Sequence, residues 1–351
     1  MAYMEPTVSR LGQINGTGDA NALFLKQFAG EVLTAFELEN VMMPLHTVRS
    51  ISSGKSAQFP TTGVASAAYH TPGESLLTTD NGSGATKYLS RIKHAEVVIA
   101  IDDMLVSSAF IANIDEAKNH YDVRSIYSTE IGRQLAYTAD KNLIRTVISG
   151  ANATTDRFGG SSSLYLGGTE VYDDELTGTD LGNALATAFF NVAQKMDEKG
   201  VPQNDRYAVV TPEVYYQLVN LNKDAISRDY NPEGNGSKAG GYIVQIAGIR
   251  IMKSNNIPTT DEATTGVAPH NSAQIQNDVF GTSGVGYGAF NFLRTKGVIF
   301  QKEAVGTVKL LDLGVESDYS IERQGTLMVA KYAMGHGVLR NECCFWLRGD
   351  V

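Results

Sequence analysis

The stretch from Asn113 to Gly150, NIDEAKNHYDVRSIYSTEIGRQLAYTADKNLIRTVISG, constrains the fold more than any other part of the chain. Apolar or aromatic side chains recur at Ile114, Ala117, Tyr121, Val123, Ile126, Tyr127, Ile131, Leu135, Ala139, Leu143 and Val147, mostly three or four apart. That is the period of a helix with one buried face. Asn113 with Glu116 has the form of a capping box, and Gly150 stands where a C′ glycine would close the last turn. At 1.5 Å per residue the helix would run about 50 Å, well beyond the three or four turns of an ordinary globular helix. A rod of that length must be supported along its side. Gly132, in its middle, costs about 1 kcal/mol relative to alanine. It marks either a close approach by a neighbouring backbone or a point where the rod bends.

Charged residues make up 19% of the 351, below the roughly 25% usual for soluble domains, while glycine is abundant at 35 residues. A surface so poor in charge points to extensive protein contacts. The formal net charge of −9 argues against tight nucleic-acid binding, which rests mainly on Lys and Arg neutralising phosphates, so contact with DNA is expected to be weak. The only cysteines, Cys343 and Cys344, are adjacent and lack the spacing of a zinc or redox motif. With no signal peptide and no apolar run approaching a membrane span, the reading is a soluble intracellular product with no membrane partner.

Ahead of the rod, residues 1–20 are polar and aperiodic, either a tail or an arm ordered by a neighbour. Ala22, Leu23, Phe28, Val32, Leu33 and Phe36 suit an amphipathic helix ending near Asn40. From Leu45 to Ile101 the chain reads as one long hairpin arm whose return leg alternates, with Ala95, Val97, Ile99 and Ile101 on one face. Its tip region is marked by Thr71-Pro72-Gly73 and by Asp80-Asn81-Gly82-Ser83-Gly84. A two-stranded ribbon is marginal alone, so this one is expected to lie on another subunit.

Five strings now carry a family resemblance: Ala22–Phe36 (ALFLKQFAGEVLTAF), Val48–Pro60 (VRSISSGKSAQFP), Asn119–Ser125 (NHYDVRS), Ala304–Leu310 (AVGTVKL) and Ala330–Gly337 (AKYAMGHG). In order and in wording they resemble the major capsid proteins of T7-like podoviruses. The resemblance implies an α+β, HK97-type capsid fold with an N-terminal arm and helix (1–44), an E-loop hairpin (45–101) and a P-domain (102–176) carrying the spine helix 113–150. It further implies an A-domain (177–296) with an A-loop at 259–284, and strands returning to the P-domain (297–351). It also implies a structural protein that self-assembles into hexamers and pentamers of an icosahedral virion shell, with T=7 geometry, around double-stranded DNA. The implied partners are further copies of the chain, a scaffolding protein during assembly and a portal protein at one vertex, with assembly in the bacterial host cytoplasm.

The rest of the chain reads as core. Leu164–Tyr172 has the form of a tight hairpin around Gly167-Gly168, a section where the resemblance is weak. A second helix carries Leu181, Ala184, Leu185, Ala188, Phe189, Val192 and Met196 on one stripe; Tyr207–Val210 is a buried strand, and Thr211-Pro212-Glu213 opens another helix. Tyr242–Met252, Tyr287–Phe292, Gly297–Gln301, Val305–Leu311 and Leu327–Met334 read as strands, and the chain finishes on the apolar run Cys343–Leu347. Thr259–Gly284 is a long polar loop.

The motif-like strings fail on spacing. Gly234-Asn235-Gly236-Ser237-Lys238 lacks the spacing of a phosphate loop, and Gly335-His336-Gly337 has no nucleophile elbow beside it and reads as a structural turn. Asp102-Asp103 and Asp173-Asp174-Glu175 lack the ligand spacing of a calcium loop, and the six histidines at 46, 70, 94, 120, 270 and 336 have no metal-site spacing. A Lys–Asn isopeptide link of the HK97 kind would need Lys55 or Lys87 against a neighbour's Asn341, and it is not expected in T7-like shells. No catalytic, cofactor-binding or metal residue is assigned, and no enzyme activity is expected. The alternatives are an encapsulin-like nanocompartment shell and, from another class, a monomeric hydrolase.

Overall fold

The computed structural model describes residues 40–65, 67–77, 88–89, 92–101, 104–112, 124–221, 236–237, 242–260 and 292–350. The expectations for the arm, its helix, the glycine-rich tip, the capping box at Asn113 and most of 259–284 lie outside them. Helix α1, Arg124–Ala151, is 28 residues and so about 42 Å long. Two layers support it. Ile131, Leu135, Ala136 and Ala139 pack on Ile111, Met328, Ala330, Tyr332 and Met334. Leu143, Ile144, Val147 and Ile148 belong instead to the main core, with Phe300, Phe345 and Leu347. Gly132 is buried on the same stripe. Gly150 is not a C′ residue, because the helix runs through it to Ala151. Its missing side chain serves packing: a Cβ there would lie 2.8 Å from Cys344 Sγ and 2.9 Å from Val338 Cγ1.

The first layer is a four-stranded sheet in the order β1 (Thr47–Ser50), β12 (Val305–Ser320), β13 (Gly325–Val338) and β4 (Leu105–Ala112). β12 and β13 form a long antiparallel hairpin, and β1 runs parallel to β12 from Thr47↔Gly306 to Ser50↔Lys309. That pairing corrects the long-arm reading, since Thr47–Ser50 belongs to the sheet and the free ribbon begins only at Ser56. The ribbon is β2 (Ser56–Thr62) against β3 (His94–Ala100), from Ser56↔Ala100 to Thr62↔His94.

The second layer is a six-stranded mixed sheet, β5 (Gly168–Tyr172), β14 (Cys344–Gly349), β11 (Thr295–Gln301), β6 (Arg206–Val210), β10 (Ile249–Lys253) and β9 (Gln245–Ile246). Helices α2 (Thr179–Glu198) and α3 (Pro212–Leu221) contribute Leu185, Phe189, Val192, Met196, Val214 and Leu218 to its core. A short pair, β7 (Gly236–Ser237) with β8 (Tyr242–Ile243), stands apart from both sheets. The hairpin expected at Leu164–Tyr172 is absent: β5 pairs in parallel with β14, from Phe345↔Gly168 to Gly349↔Tyr172. Gly167 is a close approach and not a turn, for a Cβ there would lie 2.6 Å from the Cys344 carbonyl and 2.7 Å from Ala151 Cα. The strand expected over Tyr242–Met252 is broken by a hairpin turn at Ala247-Gly248, both with positive φ, 50° and 76°. Two successive positive φ values are what a type I′ turn needs between twisted strands.

Candidate functional site

The residues that root the projecting segments lie together, at the seam of the two layers. Asp140 interrupts the apolar stripe of α1 and is itself buried. Its carboxylate accepts the backbone N–H groups of Val41 at 2.9 Å and Met42 at 3.1 Å, and the Asn256 side-chain amide at 2.9 Å. One side chain thus ties the rod to the N-terminal segment and to the loop after β10. Burial raises the Asp140 carboxyl above its ordinary value, and the three donors oppose that rise.

Four residues after Met42, a buried chain of hydrogen bonds crosses the first sheet. His46 Nδ1 lies 2.8 Å from the Met42 carbonyl, and its Nε2 lies 2.5 Å from Thr307 Oγ1. Thr307 Oγ1 in turn lies 2.9 Å from His336 Nδ1. A carbonyl only accepts, so His46 carries its proton on Nδ1 and Nε2 receives the threonine hydroxyl. The hydroxyl oxygen is then free to accept from His336 Nδ1–H. Both rings are held neutral: burial lowers His46 to about 4, and burial with the His46 charge lowers His336 to about 3.

Beside this chain the ribbon is rooted in a small apolar cluster of Ala57, Ile99, Val308 and Leu339, with Phe59, Val97 and Ile101 against it. Just past the paired strands, Gly63 donates its N–H to the Lys93 carbonyl at 2.7 Å, and a Cβ on it would lie 3.5 Å from Phe158 Cζ. At the far end Thr71-Pro72-Gly73-Glu74 forms a turn, with Glu74 N–H donating to the Thr71 carbonyl at 3.1 Å and Gly73 at φ 87°. Proline second and a positive-φ glycine third are the residues of a type II turn. Tyr88 braces it by donating to a Glu74 carboxylate oxygen and accepting the Thr71 N–H. On either side stand Val64, Tyr69, Leu76, Leu77 and Leu89, all exposed, Tyr69 completely at 101%. The β12–β13 hairpin likewise ends on an exposed Ile321, 75% in solvent.

The chemical candidates do not converge. His46 and His336 meet only through Thr307, His70 and His94 are exposed on the ribbon, and His120 and His270 lie outside the described residues. Among the described residues no cluster of three or more metal-ligating side chains occurs. Gly335-His336-Gly337 lies in the last part of β13 and is not a turn, opposite Val308, Thr307 and Gly306. Asp174 bridges to Lys296 at 3.2 Å, and Asp173 accepts the Glu175 N–H at 3.0 Å. Cys343 and Cys344 are buried, free thiols, the former pushed up to about 12 by burial. Asn341 is buried too and donates its amide to the Thr155 carbonyl at 3.1 Å, so it is not presented for a link to a lysine. Glu342, beside it, pairs with Arg157, whose guanidinium lies 5.0 Å from both the Phe158 and Tyr165 rings. No helix among the described residues is long and apolar enough to cross a membrane.

The sequence reading missed Asp140, Thr307 and the pairing of the two histidines. Asp140 had a signal, as a carboxylate between Ala139 and Leu143 on an otherwise apolar stripe. The histidines had none, since they lie 290 positions apart and meet through strand register alone.

Comparison with known proteins agrees with this architecture. Residues 58–347 match a family described as Gp10A-like, major capsid protein. The major capsid protein of Escherichia phage T7 is 35% identical over 337 residues, covering 93% of this chain and 91% of that protein. A solved capsid structure of cyanophage P-SCSP1u is 40% identical, covers 99% of both chains and superposes with a TM-score of 0.69. A virus-like particle from Pyrococcus furiosus shares the fold alone, at 11% identity, a TM-score of 0.53, and coverage of 93% of this chain and 99% of that one.

Proposed function

The chain belongs to the Gp10A-like major capsid protein family and is a structural shell protein of a T7-like phage, not an enzyme; from that premise we propose how it builds the shell. Copies assemble as hexamers and pentamers in an icosahedral, T=7 shell around double-stranded DNA. Residues 1–44 act as the N-terminal arm, 45–101 as the segment carrying the E-loop, whose free ribbon starts at Ser56, 102–176 as the P-domain and 177–296 as the A-domain, with 297–351 returning to the P-domain. A scaffolding protein guides assembly in the host cytoplasm, a portal protein occupies one vertex, and the genome touches the wall weakly.

One observation carries this reading: the β2–β3 ribbon is rooted in its own subunit mainly by the Ala57–Ile99 cluster, with lesser contacts from Arg49 to Gln58 and from Phe158 to Gly63, while Tyr69, Leu76 and Leu77 at its far end stand in solvent. Exposed apolar side chains grouped on a projection mark an interaction surface. In a shell of identical copies the partner is a neighbouring copy, which also supplies the support that an isolated ribbon lacks. The test is electron microscopy of the purified protein and of a Thr71–Gly84 deletion. Wild-type chains form closed particles, with DNA and a portal ring when taken from infected cells; the deletion leaves a folded, soluble chain that assembles poorly. Normal shells from the deletion, or particles filled with an enzyme cargo and lacking DNA, would overturn the proposal.

A further inference from the structure

Two glycines face each other across the β12–β13 hairpin where the ribbon is rooted. Gly306 and Gly337 are register partners, and partners in an antiparallel pair present their side-chain positions to the same face. That face is occupied by Ile99 of β3. A Cβ on Gly337 would lie 2.7 Å from Ile99 Cγ1 and 3.1 Å from its Cδ1, and one on Gly306 would lie 3.1 Å from Ile99 Cδ1 and 3.0 Å from Leu339 Cδ1. Ile99 is 2% exposed, the most buried residue of its cluster save Val308, at 0%. The next register pair, Thr307 and His336, turns to the opposite face and carries the buried hydrogen bonds to His46. The hairpin is therefore held from both sides at one point and cannot yield freely to the ribbon.

We propose that Ile99, seated on the bare backbone of Gly306 and Gly337, is the positioning contact that sets the direction in which the β2–β3 ribbon leaves the subunit. The proposal rests on the shell reading and names the residues that aim its arm. Isoleucine branches at Cβ and has little freedom at χ1, so a methyl pressed on its Cγ1 cannot be relieved by swinging the side chain away. The strand moves instead. Restoring an ordinary carbon–carbon contact from 2.7 Å requires a shift of about 1 Å. Pivoted at Ile101, which packs against the same cluster about 6.8 Å further along the chain, that is a tilt which, carried over the roughly 17 Å from Ile99 out to His94, displaces the ribbon's outer end by about 3–4 Å. Such a displacement is large against the fit an interface needs and small against the stability of a subunit whose two larger cores are untouched.

The experiment compares full-length wild type with Gly337→Ala, Gly337→Ala/Ile99→Ala and Gly314→Ala. Gly314, on the same hairpin, has no atom nearer than 3.9 Å to its would-be Cβ and serves as the control. Each protein is followed by circular dichroism, particle counts in electron micrographs, and spin-label distances between Thr62 and Asp318. Gly337→Ala is expected to fold, to shift that distance by about 3 Å and to yield at least tenfold fewer closed shells. Removing Ile99's branches in the double variant restores both distance and shells, and Gly314→Ala changes neither. Should Gly337→Ala not fold, Gly306→Ala, whose neighbours need give only a few tenths of an ångström, replaces it with the same expectations. Wild-type shells from the folded glycine variant, or a folded double variant that stays unassembled, would overturn the proposal. A wild-type chain that forms no particles under any condition would instead refute the shell reading itself.

Discussion

The buried His46–Thr307–His336 chain makes acid stability the sharpest quantitative prediction. Both imidazoles are held below the ordinary value of 6.5, at about 4 and about 3. A base lowered in the folded state contributes stability that is fully present above 6.5 and is lost as pH falls toward the folded value, because the unfolded chain takes up protons that the folded one refuses. Each unit of pH in that window costs about 1.4 kcal/mol per histidine. Between pH 6.5 and 5 the loss is therefore about 2 kcal/mol if one ring titrates and about 4 if both do. Set against roughly 5–15 kcal/mol for a whole domain, either is a large fraction. The assay is thermal or urea unfolding between pH 5 and 8 of wild type and His336→Asn. Asparagine keeps a donor near Thr307 Oγ1 but has no proton to take up. The variant is expected to be less stable at pH 7.5 by about 1–3 kcal/mol for lost packing, yet to lose only about half as much as wild type on going to pH 5. Asp140, raised by burial, favours the folded state on acidification and so opposes the histidines, but it is common to both proteins and cancels from the difference. A wild type whose stability is flat from pH 6.5 to 5, or a variant with the wild-type slope, would refute the reasoning.

Asp140→Ala strands three donors at the seam and is expected to cost about 3 kcal/mol in urea unfolding, with the segment around Val41 losing amide-exchange protection first. Gly150→Ala places a methyl 2.8 Å from Cys344 Sγ and should destabilise by about 1–3 kcal/mol despite its better helix propensity, read as a lower melting temperature. Ala247→Asn relaxes a left-handed alanine, φ 50°, in the β9–β10 turn and should stabilise by about 0.5–1 kcal/mol in the same melt. The shell wall facing the genome is expected to be neutral or acidic, in keeping with the net charge of −9; ordered DNA on a dense Lys/Arg surface in a particle map would contradict this.

Periodicity made the rod and the second helix legible, because a buried stripe leaves its spacing in the sequence whatever it packs on. It did not reveal what each stripe packs on. Ile131–Ala139 and Leu143–Ile148 read as one stripe, yet they cover two different sheets. The misreadings have a common cause. Gly167 suggested a turn, Gly150 a helix end and Gly335-His336-Gly337 a bend, but at Gly150, Gly167 and Gly337 the absent side chain makes room for a distant segment: Cys344, Ala151 and Ile99. Local pattern cannot separate a glycine kept for its φ from one kept for its lack of Cβ, since the second kind is defined by a contact far away in sequence. The ribbon extends the same point beyond the subunit. Its strands alternate as a half-buried pair should, and beyond them Val64, Tyr69, Leu76 and Leu77 are apolar yet exposed in the single chain. On the proposed reading those side chains are core residues of the assembly, so the pattern that specifies them is completed only when a second copy is present.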